Sequence, residues 1–236
     1  MNFMETIFFE GDILELPEEK ESKKFPSISL YDTKAKDFIN AFLYAGGYII
    51  NGSIHFSFHD ENYLLWLKKS LESFGITCNV KNIYKGAVGN PSVWILDTEI
   101  YVELITLEKE WFYSVRKKCR RRPPKFNGTP LALFLWYLWH GRIYEYKQFR
   151  SNECPQFISK GISIEKSDTI AVILNNADIK YFKKGTSGYC IKEPEHEKFF
   201  AYICEVPFLI PECFHHKFPV EFIQRNKDYV LTYKPE

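Results

Sequence analysis

The stretch NGTPLALFLWYLWHGRIYEY, residues 127–146, runs through nine consecutive apolar residues, Leu131 to Trp139, before a histidine and a glycine. An arginine-led alternation of polar and apolar residues follows at once. An apolar helix that stops at glycine and feeds a strand accounts for this order. Glycine enters the left-handed region at little cost, and period-two alternation marks a half-buried strand. A second stretch of the same design lies upstream: NAFLYAGGYIINGSIHFSF, residues 40–58. Laying Tyr48 on Tyr137 places Asn51 on His140, Gly52 on Gly141 and Ile54 on Ile143. On this alignment the first helix stops at Gly52, and the alternation SIHFSF matches RIYEYKQF.

The likeness continues downstream. DENYLLWLKKSLESFGI (60–76) has the pattern of a capped amphipathic helix, and SIEKSDTIAVILNNADI (163–179) is its shorter counterpart, with Ile170, Ile173 and Leu174 facing inward. A basic strand, a glycine-bearing turn and another strand follow each. LITLEKEWFYSV and PEHEKFFAYICEV then close the two halves as amphipathic helices. The expected organisation is an N-terminal extension (1–32), a first repeat (33–115), a basic Pro-rich linker (116–128), a second repeat (129–218) and a C-terminal tail (219–236). The leading helices are the most apolar in the chain and carry small residues, Ala45, Gly46, Gly47 and Ala132. They are expected to pack on each other about a pseudo-twofold axis, with a curved antiparallel sheet from each half beside them. Trp136, Tyr137 and Trp139 are expected to be core and interface aromatics.

Composition narrows the functions. The chain has 236 residues, 45% hydrophobic and 26% charged, and no apolar run reaches the roughly 20 residues of a bilayer span. Its cysteines, at 78, 119, 154, 190, 204 and 213, form no C-x-x-C pair, and a reduced, cytoplasmic setting is expected. CFHHKF (213–218) offers Cys213, His215 and His216 but no second ligand pair, so it reads as a side-chain cluster and not a metal site. Net charge is only +1, yet residues 1–22 hold seven acids against one lysine and residues 116–125, RKKCRRRPPK, hold seven cations. Such asymmetry points to an anionic partner on one face.

The motif regions resemble a known family. AGGYIINGSI is similar to the motif that names the LAGLIDADG homing endonucleases, and LALFLWYLWHG resembles the form taken by the family's second motif. WFYSVRKKCRRRPPKFNGTPLALFLWY is similar to the family's approach to that second motif. The resemblance spans roughly residues 33–218. It implies an α+β, homing-endonuclease-like fold, a pseudo-twofold duplication of αββαββα whose two antiparallel sheets form a saddle over the major groove of DNA. Side chains on the strand faces would read base edges. The candidates by alternation are His55, Ser57 and His59 in the first sheet, and Arg142, Tyr144 and Tyr146, or Glu145, Lys147 and Phe149, in the second. Lys81, Lys85, Arg116, Lys117, Lys118, Arg120, Arg121, Arg122, Arg142, Lys147, Lys183 and Lys184 are the candidate nucleic-acid-binding cations.

The resemblance also implies metal-assisted phosphodiester hydrolysis by two acids, one just before the glycine of each motif. Here the aligned positions are Asn51 and His140. Asparagine brings no charge, and imidazole is a poor ligand for Mg²⁺. Losing both carboxylates removes several kcal/mol of Coulomb attraction for cations (about 4 kcal/mol per contact at moderate dielectric). The expectation is a monomeric, double-stranded DNA-binding protein without nuclease activity, with no cofactor, no membrane partner and no obligate homo-oligomer. Three alternatives stand beside it: an active endonuclease with atypical ligands, in which case Mg²⁺ is the cofactor; an RNA-binding intron maturase or splicing factor; and a protein-interaction module.

Overall fold

The computed structural model describes residues 33–84, 92–114, 119–120, 128–148, 157–165, 168–184 and 188–233. The first repeat comprises α1 (Thr33–Ala45), β1 (Tyr48–Ile50), β2 (Ser53–Phe58), α2 (Glu61–Glu72), β3 (Cys78–Tyr84), β4 (Val93–Thr98) and α3 (Val102–Trp111). A short hairpin follows, β5 (Phe112–Ser114) with β6 (Cys119–Arg120). The second repeat comprises α4 (Pro130–His140), β7 (Gly141–Gln148), β8 (Phe157–Glu165), α5 (Asp168–Asn176), β9 (Tyr181–Lys184), β10 (Gly188–Lys192) and α6 (His196–Cys204). Each repeat builds a four-stranded antiparallel sheet of the same order, β1-β2-β4-β3 and β7-β8-β10-β9. This is the expected αββαββα duplication.

The apolar run of α4 is explained by its place. Leu131, Ala132, Leu133, Phe134, Leu135, Tyr137 and Leu138 are all buried, because the helix lies between α1, α5, α6 and β8 and has no solvent face to leave polar. Thr129 starts it by accepting from the Ala132 amide at 3.2 Å, and Pro130 fills a first-turn position where no donor is needed. The α1 helix packs along α4 and buries Phe38, Ile39, Ala41, Phe42, Leu43, Tyr44 and Ala45. Burying a side chain of this size contributes roughly 1.5–3 kcal/mol, so this helix pair is the main apolar seam between the halves. In α2, the Asp60 carboxylate caps the helix by accepting from the amides of Asn62 (2.9 Å) and Tyr63 (3.4 Å).

Three expectations need correction. First, α1 ends at Ala45 and not near Gly52: Gly46 and Gly47 break it, and Tyr48–Ile50 pair with β2 as a strand. Second, Ser163–Glu165 belong to β8, so α5 starts only at Asp168. Third, the region expected as a tail contains α7 (Val220–Thr232). Its Asn226 is fully buried; Oδ1 accepts from the Ile210 amide (2.9 Å) and Nδ2 donates to the carbonyls of Cys204 (2.8 Å) and Phe208 (3.1 Å). A buried amide bonded on both sides fixes the chain after α6, and the Trp66 indole of α2 ties in by donating to the Leu209 carbonyl at 2.9 Å. Within the 116–128 linker, Cys119–Arg120 forms the paired strand β6. Cys78, Cys204 and Cys213 are free thiols, the first two buried, and burial pushes Cys78 and Cys204 up to about 12. No helix of the described residues is long and apolar enough to cross a membrane.

Candidate nucleic-acid interface and helix-end site

His140 is the last residue of α4, as the sequence suggests, whereas Asn51 lies at no helix end. Asn51 and Gly52 form the two-residue turn between β1 and β2, with φ of 51° and 78°. Two successive positive φ values are what a type I′ hairpin turn demands, and Asn-Gly satisfies them at the least steric cost. A buried carboxylate secures the turn: Glu108 Oε2 accepts from the Gly52 amide at 3.1 Å. The residues at the end of α1 are instead Ala45, Gly46 and Gly47. Gly47 corresponds to Gly141, since a Cβ on either would run into an aromatic ring of the preceding helix, Phe42 or Tyr137. The residues just before these glycines are Gly46 and His140.

The two helix ends touch. His140 Nε2 donates to the Ala45 carbonyl at 3.2 Å, closing an acceptor that the end of α1 leaves open. Its ring lies 4.3 Å from Trp136, which in turn lies 4.8 Å from Tyr44 of α1. Trp139 covers Gly46, where an added Cβ would sit 3.5 Å from the indole, and meets Phe56 edge-on at 4.4 Å. An imidazole, four other rings and a glycine therefore occupy the ground between the helix ends. This donor set does not fit a hard divalent cation. Gly46 has no side chain, His140 spends Nε2 on a carbonyl, and such ions take anionic oxygens. Among the described residues no group of three or more His, Cys, Asp or Glu side chains could hold a metal. Cys213 to Lys217 of CFHHKF fall in a 3₁₀ turn, Glu212–Lys217, where His215 Nε2 bonds the Ile210 carbonyl at 3.3 Å.

Lys217, at the end of that turn, braces α4 from below. Its Nζ donates to the Leu138 carbonyl at 2.6 Å, while the Tyr137 hydroxyl donates to the Lys217 carbonyl at 2.8 Å. Burial pushes its ammonium down to about 8, and the nearby Cys213 opposes the shift. Between pH 8 and the ordinary lysine value of about 10.4, the unfolded chain holds a proton that the folded chain has released. The Lys217 contribution to stability therefore rises with pH across that window. Denaturant titrations at pH 7.5 and 9.5 are expected to show a Lys217→Met variant losing this part of the rise that wild type shows.

The sheets present one face to the helices and leave the other open. In the first sheet Ile49, Ile54, Phe56, Val80 and Leu96 face the core. His55 and Ser57 stand on the opposite face, as expected, with Tyr48, Asn79, Lys81, Ile95 and Asp97 in register beside them. His59 lies beyond the strand end and is exposed. Lys81 differs from the expectation of a free phosphate contact: its Nζ lies 3.0 Å from Asp97 Oδ2, so a carboxylate already offsets its charge. In the second sheet Arg142 is exposed and lies opposite the core-packed Ile143, which settles the register at the start of β7. Lys183 is exposed on the edge strand β9 and pairs with Tyr189. Lys85, Arg116, Lys117, Lys118, Arg121, Arg122 and Phe149 lie outside the described residues, as do the side chains of Arg120, Tyr144, Glu145, Tyr146, Lys147 and Lys184.

No family profile matches the sequence, and no curated protein does. Solved structures do match. The chain is similar to the homing endonuclease I-WcaI bound to its DNA recognition sequence, with a TM-score of 0.57 and 13% identity over 87% of this chain and 96% of that one. The LAGLIDADG meganuclease I-AabMI, bound to uncleaved DNA, gives a TM-score of 0.48 and 8% identity over 84% and 98%. At such identities the likeness is one of architecture: two repeats in one polypeptide, joined through their leading helices, are the LAGLIDADG homing-endonuclease fold.

Proposed function

We propose that the chain binds double-stranded DNA and does not cut it. The likeness to I-WcaI, a protein solved on its DNA recognition sequence, supports the first half, together with open sheet faces that carry His55, Ser57, Asn79 and Arg142. The second half rests on one observation. The residues before the two helix-terminal glycines are Gly46 and His140, and the His140 ring is bonded to Ala45. A helix pair that has exchanged anionic oxygens for a neutral, aromatic contact keeps the packing of the halves and gives up the means to gather cations beside a polyanion.

Two assays test the halves separately. Supercoiled plasmid incubated with the protein and Mg²⁺ or Mn²⁺ is expected to stay uncut; nicked or linear product that vanishes with His140→Ala overturns the non-cutting half. A gel shift on a duplex library at 50 mM salt is expected to show binding, and no shift overturns the other half. Structured RNA that displaces the duplex at lower concentration than unlabelled DNA would move the assignment to RNA.

A further inference from the structure

The open face of the first sheet carries a linked group of side chains from four strands. His55 (β2) and Asp97 (β4) are directly paired across the sheet, and Nδ1 lies 2.7 Å from Asp97 Oδ1. The second carboxylate oxygen meets Lys81 Nζ (β3) at 3.0 Å. Tyr48 (β1) stacks on the imidazole, with ring centroids 5.6 Å apart and planes inclined by 20°. The His55 ring is thus held on its face by Tyr48 and on one edge by Asp97. Its side chain remains 27% exposed, and Nε2 bonds no other described residue.

These contacts fix the tautomer. A carboxylate accepts, so the proton of the neutral ring sits on Nδ1 and the lone pair on Nε2. We propose that His55 is a base-reading residue whose outward nitrogen Asp97 holds as an acceptor, selecting an exocyclic amino group, adenine N6 or cytosine N4, at one base pair. In the major groove only those two bases offer a donor; guanine and thymine offer acceptors there and are refused by a lone pair. Asp97 is then a positioning residue that needs no contact with DNA, and Lys81 holds the carboxylate from its other side. This inference rests on the duplex-binding reading above.

Selection of the full chain on a randomised duplex library tests it. Wild type is expected to enrich adenine or cytosine at one position on one strand. Asp97→Asn, which offers an amide that can donate or accept, is expected to admit guanine and thymine there. His55→Ala is expected to lose the preference altogether. A measurement on unaltered protein guards against a variant that does not fold. Removing the amino group at that position (purine in place of adenine, or the 4-deaminated analogue in place of cytosine) is expected to weaken wild-type binding roughly three- to tenfold, the worth of one hydrogen bond. If wild type and both variants enrich the same bases at every position, or no analogue weakens binding, His55 is only a cross-strand support and the inference is overturned. If wild type binds no duplex at all, it falls together with the reading beneath it.

Discussion

Replacing Gly141 with alanine is expected to lower stability by about 3 kcal/mol or more, through overpacking, although the residue has an ordinary φ of −93°. The cost comes from contact and not from backbone strain. A Cβ at this position would lie 2.6 Å from the Tyr137 carbonyl oxygen and would collide with the Tyr137 ring. That ring has nowhere to go: it is fully buried, its hydroxyl is bonded to Lys217, and Phe199, Phe200 and Phe218 surround it at 5.2, 6.0 and 5.4 Å. For a chain of this size such a loss corresponds to a fall in Tm of about 6–12 °C. Gly75→Ala supplies the contrast. Gly75 has a φ of 77° and nothing within 4 Å of an added Cβ, so only left-handed strain of about 1–2 kcal/mol applies. Thermal melts followed by circular dichroism should separate the two variants. A Gly141→Ala protein that melts with wild type would show that α4 does not pass into β7 through this close approach.

The difference between those glycines also shows where the sequence was readable. At Gly141 the helix-to-strand change was legible because a continuous apolar run gives way to strict alternation. Around Gly46 it was not. Phe38–Ile50 is apolar almost throughout, so periodicity alone cannot say where helix becomes strand, and two glycine stops compete, Gly46-Gly47 and Asn51-Gly52. Aligning the second on Gly141 misplaced the site residue by several positions. The available signal was the Asn-Gly dipeptide between apolar alternations, a hairpin turn before it is anything else. The carboxylate-free helix ends survive the correction, because Gly46 is no more anionic than Asn51. The Asp97–His55 pair spans 42 positions and the Glu108–Gly52 bond 56, so both depend on strand register and packing that no local pattern carries. The helix α7 escapes for a different reason: an internal repeat predicts only what is repeated, and among the described residues α7 has no counterpart in the first half.

Duplex affinity is expected to fall by about 10³ between 50 and 200 mM salt, the loss that goes with roughly six neutralised phosphates. Net charge cannot drive this, since 31 basic residues stand against 30 acidic ones. Any steep salt response must come from a local excess of cations that meets the DNA while the acids lie elsewhere. The sequence supplies such an excess at 116–125, where seven of ten residues are basic. Replacing Arg120, Arg121 and Arg122 with glutamine is therefore expected to reduce the slope of log K against log salt by about one unit for each arginine that contacts a phosphate. Lys81→Gln tests the electrostatics differently. Its ammonium is held by Asp97 at 3.0 Å, so removing it deletes a charge that is already offset and should leave the slope nearly unchanged. Adding Asp97→Asn to an intact Lys81 should steepen the slope instead, because it frees a cation on the same face. Anisotropy titrations at four salt concentrations would measure all four slopes, wild type and three variants, on one duplex. A flat wild-type response would remove the electrostatic basis for duplex binding, and a Lys81→Gln slope as reduced as that of an arginine variant would show that the Asp97 pair opens when DNA arrives.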